Sequence, residues 1–107
     1  MDKTCLAKVI TIGRKSGREH KVVLRLVNYN NKYYASRRDL NSDWIKNILA
    51  NKEAKIVIDN IIIRCAAKML DDESARVISS MKYDDHRKEM KRFVIELSPL
   101  DIINSSE

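Results

Sequence analysis

Between Ile61 and Met69 the side chains alternate: Ile61, Ile63, Cys65, Ala67 and Met69 fall on one face, while Arg64 and Lys68 fall on the other. A period of two held that long specifies a β-strand with one face in a core. The same signature recurs along the chain. Ala7 to Ile12 is short and β-branched. His20 to Tyr29 places Val22, Leu24 and Leu26 on one side. Lys32 to Ser36, Lys55 to Asp59 (Ile56 and Ile58 inward) and Arg92 to Ser98 (Phe93, Ile95 and Leu97 inward) complete six predicted strands. Asn30-Asn31 and Asn60 mark tight turns, because Asn tolerates positive φ. Pro99 should end the last strand, leaving 101–107 as a frayed end or a partner-docking arm.

Two segments break the alternation. After Ser42, a natural helix cap, Trp44, Ile45, Ile48 and Leu49 form an apolar stripe at helical spacing that should stop near Asn51. Asp71 and Asp72 open a second helix with Ala75, Ile78 and Met81 as its buried line, and Asp84 starts a short turn through Lys91. The order is β-β-β-α-β-β-α-β. Six antiparallel strands in one domain of 107 residues favour closure into a barrel, which removes unpaired edges, with helices over a gap or an end.

The scarcity of glycine and proline excludes several chemistries. With only Gly13, Gly17 and Pro99, the chain has no three-glycine dinucleotide fingerprint, and Gly17 is followed by Arg18-Glu19 rather than the Lys-Ser/Thr of a phosphate-binding loop. Cys5 and Cys65 lie far apart, as do His20 and His86, so no metal spacing is present. Two reduced thiols and no basic-then-apolar leader suit a cytoplasmic protein. No apolar run is long enough for a membrane-spanning helix. The formal net charge of +6 favours anionic partners: nucleic acid, phosphorylated cofactors or acidic lipid.

Gly13-Arg14-Lys15-Ser16-Gly17 is the local candidate for a site, with both glycines suited to unusual backbone angles. It reads either as a solvated basic hairpin turn or as a concavity of backbone N–H groups that holds an anion, with Arg14 and Lys15 adding charge and Ser16 a hydroxyl. Arg18, Lys21 and Arg25 extend the positive field. Arg37 and Arg38 form a second basic pair where the third strand gives way to a loop. Trp44 suits a core position. Asn47 lies off the apolar stripe and reads either as a helix-surface residue or as an amide facing a ligand. Tyr83 and His86 could each deliver a proton, although a lone His in a charged stretch is commonly just solvated.

In sequence order, Thr11-Ile12-Gly13-Arg14-Lys15-Ser16-Gly17, then Ala35-Ser36, then Trp44-Ile45-Lys46-Asn47-Ile48-Leu49-Ala50-Asn51, and a terminal Arg92-Phe93-Val94-Ile95 with Leu97-Ser98-Pro99, resemble the motifs of the deazaflavin-dependent nitroreductase family. The motifs span most of the chain. The resemblance implies a split β-barrel of the flavin-reductase and pyridoxamine-phosphate-oxidase type. It also implies binding of the deazaflavin coenzyme F-420, with FMN as the alternative, and hydride transfer to a small nitro- or quinone-type acceptor. Carried over, Arg14, Lys15, Ser16 and Gly17 would hold the phosphate or acidic tail, with Ala35, Ser36 and Arg37 nearby and Asn47 as the asparagine of the tryptophan motif. Tyr83 and His86 would fall on two family tyrosines before the last strand. The chain departs from the pattern at Arg38-Asp39, which replace a double glycine, at His20 for Arg, and at Val23 and Lys52 for Pro. A homodimer is implied for the FMN alternative. A non-enzymatic basic module on nucleic acid is the third reading, disfavoured because the few aromatics are not interleaved with basic residues.

Overall fold

The computed structural model describes residues 4–37, 41–71, 73–75, 77–78 and 93–105. Six strands, β1 (Thr4–Ile12), β2 (Glu19–Tyr29), β3 (Lys32–Arg37), β4 (Glu53–Ile58), β5 (Ile61–Met69) and β6 (Phe93–Ser105), close into an antiparallel barrel in the order β1-β2-β3-β6-β5-β4. One helix, α1 (Asp43–Asn51), lies between β3 and β4 in sequence, and residues 73–75 and 77–78 are also helical. The predicted six-stranded antiparallel barrel is therefore present.

Alternation sets the barrel interior. Val9, Leu26, Ile56, Cys65, Ile95 and Leu97 are all at most 1% exposed and face one another across it. Ile45 and Ile48 of α1 join the same cluster, so the helix plugs one end of the barrel. Each such aliphatic side chain contributes about 1.5–3 kcal/mol by leaving water. A second cluster, Val27, Tyr34, Ala75, Ile78 and Val94, forms where the second helical stretch covers the outside of β3 and β6. Asp71 Oδ1 accepts a hydrogen bond from the Ser74 amide at 2.7 Å and caps that stretch. Asp72, Met81 and Asp84 lie outside the described residues.

The tight turns follow the predicted chemistry. Asn30 and Asn31 (φ 52° and 62°) and Asp59 and Asn60 (φ 50° and 65°) pair in the left-handed region, the geometry whose twist matches a β-hairpin. At the end of α1, Lys52 takes φ 58°, donates its N–H to Ile48 O at 2.7 Å and accepts from Ala67 N at 3.0 Å. The helix end is thereby fixed to β5.

Strand limits differ from expectation in informative places. β1 begins at Thr4 and β4 at Glu53, with Asp59 belonging to the turn. β6 does not stop at Pro99: it continues to Ser105, paired with β5 down to Ile61. The expected frayed end at 101–105 is thus ladder. Pro99 stands opposite Cys65 at a register shift, and β3 pairs with β6 only as far as Tyr33↔Leu97. Proline is tolerated at bulges and on strands with a free edge, and Pro99 meets both conditions.

The barrel is split between β2 and β3. Their ladder consists of Val27↔Tyr34, Asn28↔Tyr33 and Tyr29↔Lys32 and goes no further. Beyond it β2 pairs only with β1, and β3 from Ala35 onward only with β6. The two strands therefore diverge toward the end that α1 closes.

Candidate functional site

The Gly13–Gly17 turn joins β1 to β2 beside α1. Gly13 N donates to Arg18 O at 2.7 Å and Gly17 N to Gly13 O at 3.0 Å, while Ser16 Oγ accepts from Arg18 N at 3.2 Å. Gly17 has φ 72°, where glycine is the least strained residue. Gly13 does not share that conformation, contrary to expectation; a Cβ there would lie 2.5 Å from Ser16 Oγ and 3.0 Å from His20 Nε2, so those two side chains would have to shift.

Asn47 fixes the turn to the helix. It is 1% exposed, so it is not a helix-surface residue. Its Oδ1 accepts from Arg14 N at 3.1 Å and from Arg14 Nη1 at 2.9 Å. Arg14 Nη2 lies 3.8 Å from Asp43 Oδ1 at the start of α1, and Asn51 Nδ2 donates to Ile12 O at 2.7 Å. A shallow cleft of about 160 Å³ results, lined by Gly13, Arg14, Lys15, Ser16, His20, Asp43 and Asn47. Arg14 is partly engaged in holding the turn. Lys15 is exposed and has no acidic partner among the described residues, which leaves it the mobile cation of the cleft.

The second cluster lies in the split. A groove of about 210 Å³ is lined by Val23, Leu24 and Arg25 of β2 and by Ala35, Ser36 and Arg37 of β3, the segments that have parted company. Ala35 and Ser36 are each 2% exposed. Arg37 is the last residue of β3 rather than part of the following loop, and its guanidinium sits 5.9 Å from the Trp44 ring centre, a cation–π contact.

The first turn of α1 joins the two clusters. Asp43 and Asn47 meet Arg14, and Trp44 meets Arg37. All eight candidate binding residues (Arg14, Lys15, Ser16, Gly17, Ala35, Ser36, Arg37 and Asn47) thus lie in or beside the cleft and the groove that flank this helix end. Arg38, Tyr83 and His86 lie outside the described residues.

Three features were missed in the sequence. Arg25 lines the split groove with Arg37, but from the outer face of β2, where its Nη1 donates to Thr4 Oγ1 of β1 at 3.1 Å; it reaches the groove because the β2–β3 ladder ends at Val27↔Tyr34. The Thr11 hydroxyl, at the start of the glycine-turn motif, is buried without a hydrogen-bond partner among the described residues. Glu96 is 7% exposed yet charged, held by Tyr34 Oη at 3.3 Å, Ser98 Oγ at 3.3 Å, Lys32 Nζ at 3.5 Å and Lys68 Nζ at 3.7 Å. Burial first, then the Glu96 charge and hydrogen bond, raise the Tyr34 phenol above its ordinary range.

No family model and no curated sequence matches the chain. Solved structures do match in fold. An F-420-dependent reductase (FDR-A) is 18% identical, with a TM-score of 0.67 over 85% of this chain and 92% of that one. A candidate pyridoxamine 5'-phosphate oxidase of Listeria innocua is 14% identical, with a TM-score of 0.71 over 94% and 89%. The heme storage protein HutZ of Vibrio cholerae is 14% identical, with a TM-score of 0.73 over 97% and 87%. The likeness is one of fold, a six-stranded antiparallel barrel.

Proposed function

We propose that this chain binds an anionic flavin-type cofactor, the deazaflavin coenzyme F-420 in the first reading and FMN in the second, and serves as an oxidoreductase for a small organic acceptor. The observation that carries the proposal is the convergence of cations on one helix end: Arg14 and Lys15 by the cleft and Arg37 by the split, with Arg25 on the outer rim of the groove. A ligand with a planar ring and an acidic tail matches that division. Two features of the turn and the groove support the fit. The absence of a side chain at Gly13 lets Ser16 and His20 pack close to the turn, and the groove walls at Ala35 and Ser36 are small.

In this reading Lys15 and the turn around Ser16 and Gly17 hold the phosphate or tail. Arg37 neutralises charge in the groove, with Arg25 on its outer rim, and Ala35 and Ser36 admit the ring edge. Asn47 acts through Arg14 and keeps the turn's shape. When bound, the cofactor supplies two-electron hydride chemistry, which needs neither a metal nor a protein nucleophile. Tyr83 and His86 are proposed as the proton donors to a nitro- or quinone-type acceptor. A homodimer is part of the FMN reading.

The test is titration of the purified chain with F-420 and with FMN. The chain's single tryptophan, Trp44, stands between the two clusters, so its fluorescence reports filling of the site. Saturable quenching by F-420, with a weaker response to FMN, supports the first reading; the reverse order supports the second. No response to either refutes both.

A further inference from the structure

The second helical stretch covers the outside of β3 and β6 and the end of β2 at Val27, but the rest of β2, and β1 and β4, carry no helix on their outside among the described residues. Strand register fixes what that bare face presents. Lys8 stands between Val23 of β2 and Val57 of β4. One row further, Ile10 stands between Lys21 and Lys55. Leu6 pairs with Arg25 at the border with the split groove. Adjacent strands lie about 4.8 Å apart, so Lys21 and Lys55 flank Ile10 at a Cα spacing of roughly 10 Å.

Lys8, Lys21 and Lys55 form no ion pair among the described residues. Two acids lie next to them on the same face: Glu53, two residues from Lys55, is bound to Arg64 at 2.7 Å, and Glu19, two residues from Lys21, is exposed. The face is therefore net cationic, with Lys8, Lys21 and Lys55 against Glu19. It is also apolar: Leu6 is 61% exposed and Val23 64%.

We propose that this β2–β1–β4 face docks on an anionic lipid bilayer, with the lysines at the headgroups and Leu6 and Val23 entering the interface. Charge and side-chain type choose the occupant. A second copy would set cations against cations. A nucleic acid would leave the aliphatic side chains against phosphate and water, and the face carries no aromatic ring on which bases could stack. An acidic bilayer satisfies both parts, because its surface potential attracts basic side chains and its interface accepts aliphatic ones. This inference does not rest on the cofactor reading.

Flotation of the full chain with large vesicles tests it. Binding is expected to vesicles of 70% phosphatidylcholine and 30% phosphatidylglycerol and not to phosphatidylcholine alone. Affinity should fall about fivefold for each lysine neutralised, so Lys8→Gln with Lys55→Gln should lose roughly 25-fold. Leu6→Ser keeps the charge and should still weaken binding several-fold. Melting curves of the variants establish that they are folded, and Leu6→Ser tests the face without either lysine change. The proposal fails if anionic vesicles do not bind. It also fails if the lysine variants bind as wild type, or if Leu6→Ser has no effect while a DNA duplex binds the chain as tightly as the vesicles do.

Discussion

Asn47 Oδ1 receives two hydrogen bonds from Arg14, one from its backbone and one from its guanidinium, across 33 positions of sequence. That one oxygen fixes the β1–β2 turn to the barrel's plugging helix. Replacement by Ala leaves the Arg14 donors without their acceptor and opens a small void. Asn47→Ala should lower stability by about 1–3 kcal/mol, read from the denaturant midpoint. It should also weaken cofactor binding, because the turn loses its support. Full binding in a destabilised Asn47→Ala would show that the turn's pose does not matter to the ligand.

Lys15 makes the opposite prediction. It is exposed and supports no part of the fold, so Lys15→Ala should leave the melting temperature nearly unchanged. A lost charge-assisted contact should weaken binding of the anionic cofactor by on the order of tenfold, with a reduced dependence on salt. Calorimetric titration at two salt concentrations checks both.

Arg37→Ala removes the cation from the Trp44 ring and from the groove. The cation–π loss should cost about 0.5–1 kcal/mol of stability and shift the Trp44 emission. Cofactor affinity should fall as well. Arg37→Lys should recover part of the binding but less of the ring contact, since only the planar guanidinium stacks.

Cys65 gives a pH prediction. It is fully buried in the barrel, and desolvation pushes its thiol from about 9 up to about 12. The folded state therefore favours the protonated form. That contribution to stability is complete below about pH 9 and is lost progressively as pH rises toward 12. Cys65→Ala should abolish this part of the alkaline slope, measured by urea unfolding between pH 8 and about 11. In native protein at neutral pH, half-buried Cys5 should react with a thiol reagent well before Cys65.

Much of this was legible in the sequence because it is local. Alternation from Ile61 to Met69 located β5 to the residue, and Ser42 and Asn51 bracketed α1. The paired asparagines specified a hairpin turn without reference to any other strand. What escaped depends on partners distant in the chain. Pro99 looked like a stop because nothing nearby shows that it lies at a bulge beyond the end of β3. Asn47 looked like surface because the guanidinium and amide that bury it come from a turn before β2. Arg25 gained its place in the groove only when β2 and β3 separated after Val27↔Tyr34, and no local pattern announces where a ladder ends. Glu96 reads as an outward strand residue until Lys32 and Lys68 arrive from its two neighbours.

The central claim is that the basic turn and the split groove hold one anionic, planar ligand between them. The most direct measurement is the change in Trp44 fluorescence during F-420 titration, compared between wild type and the Lys15→Ala, Arg37→Ala double variant. Saturable one-to-one quenching in the wild type, with affinity reduced by about a hundredfold in the folded double variant, is the predicted result. Equal affinity in both proteins, or no saturable response in the wild type, would contradict it.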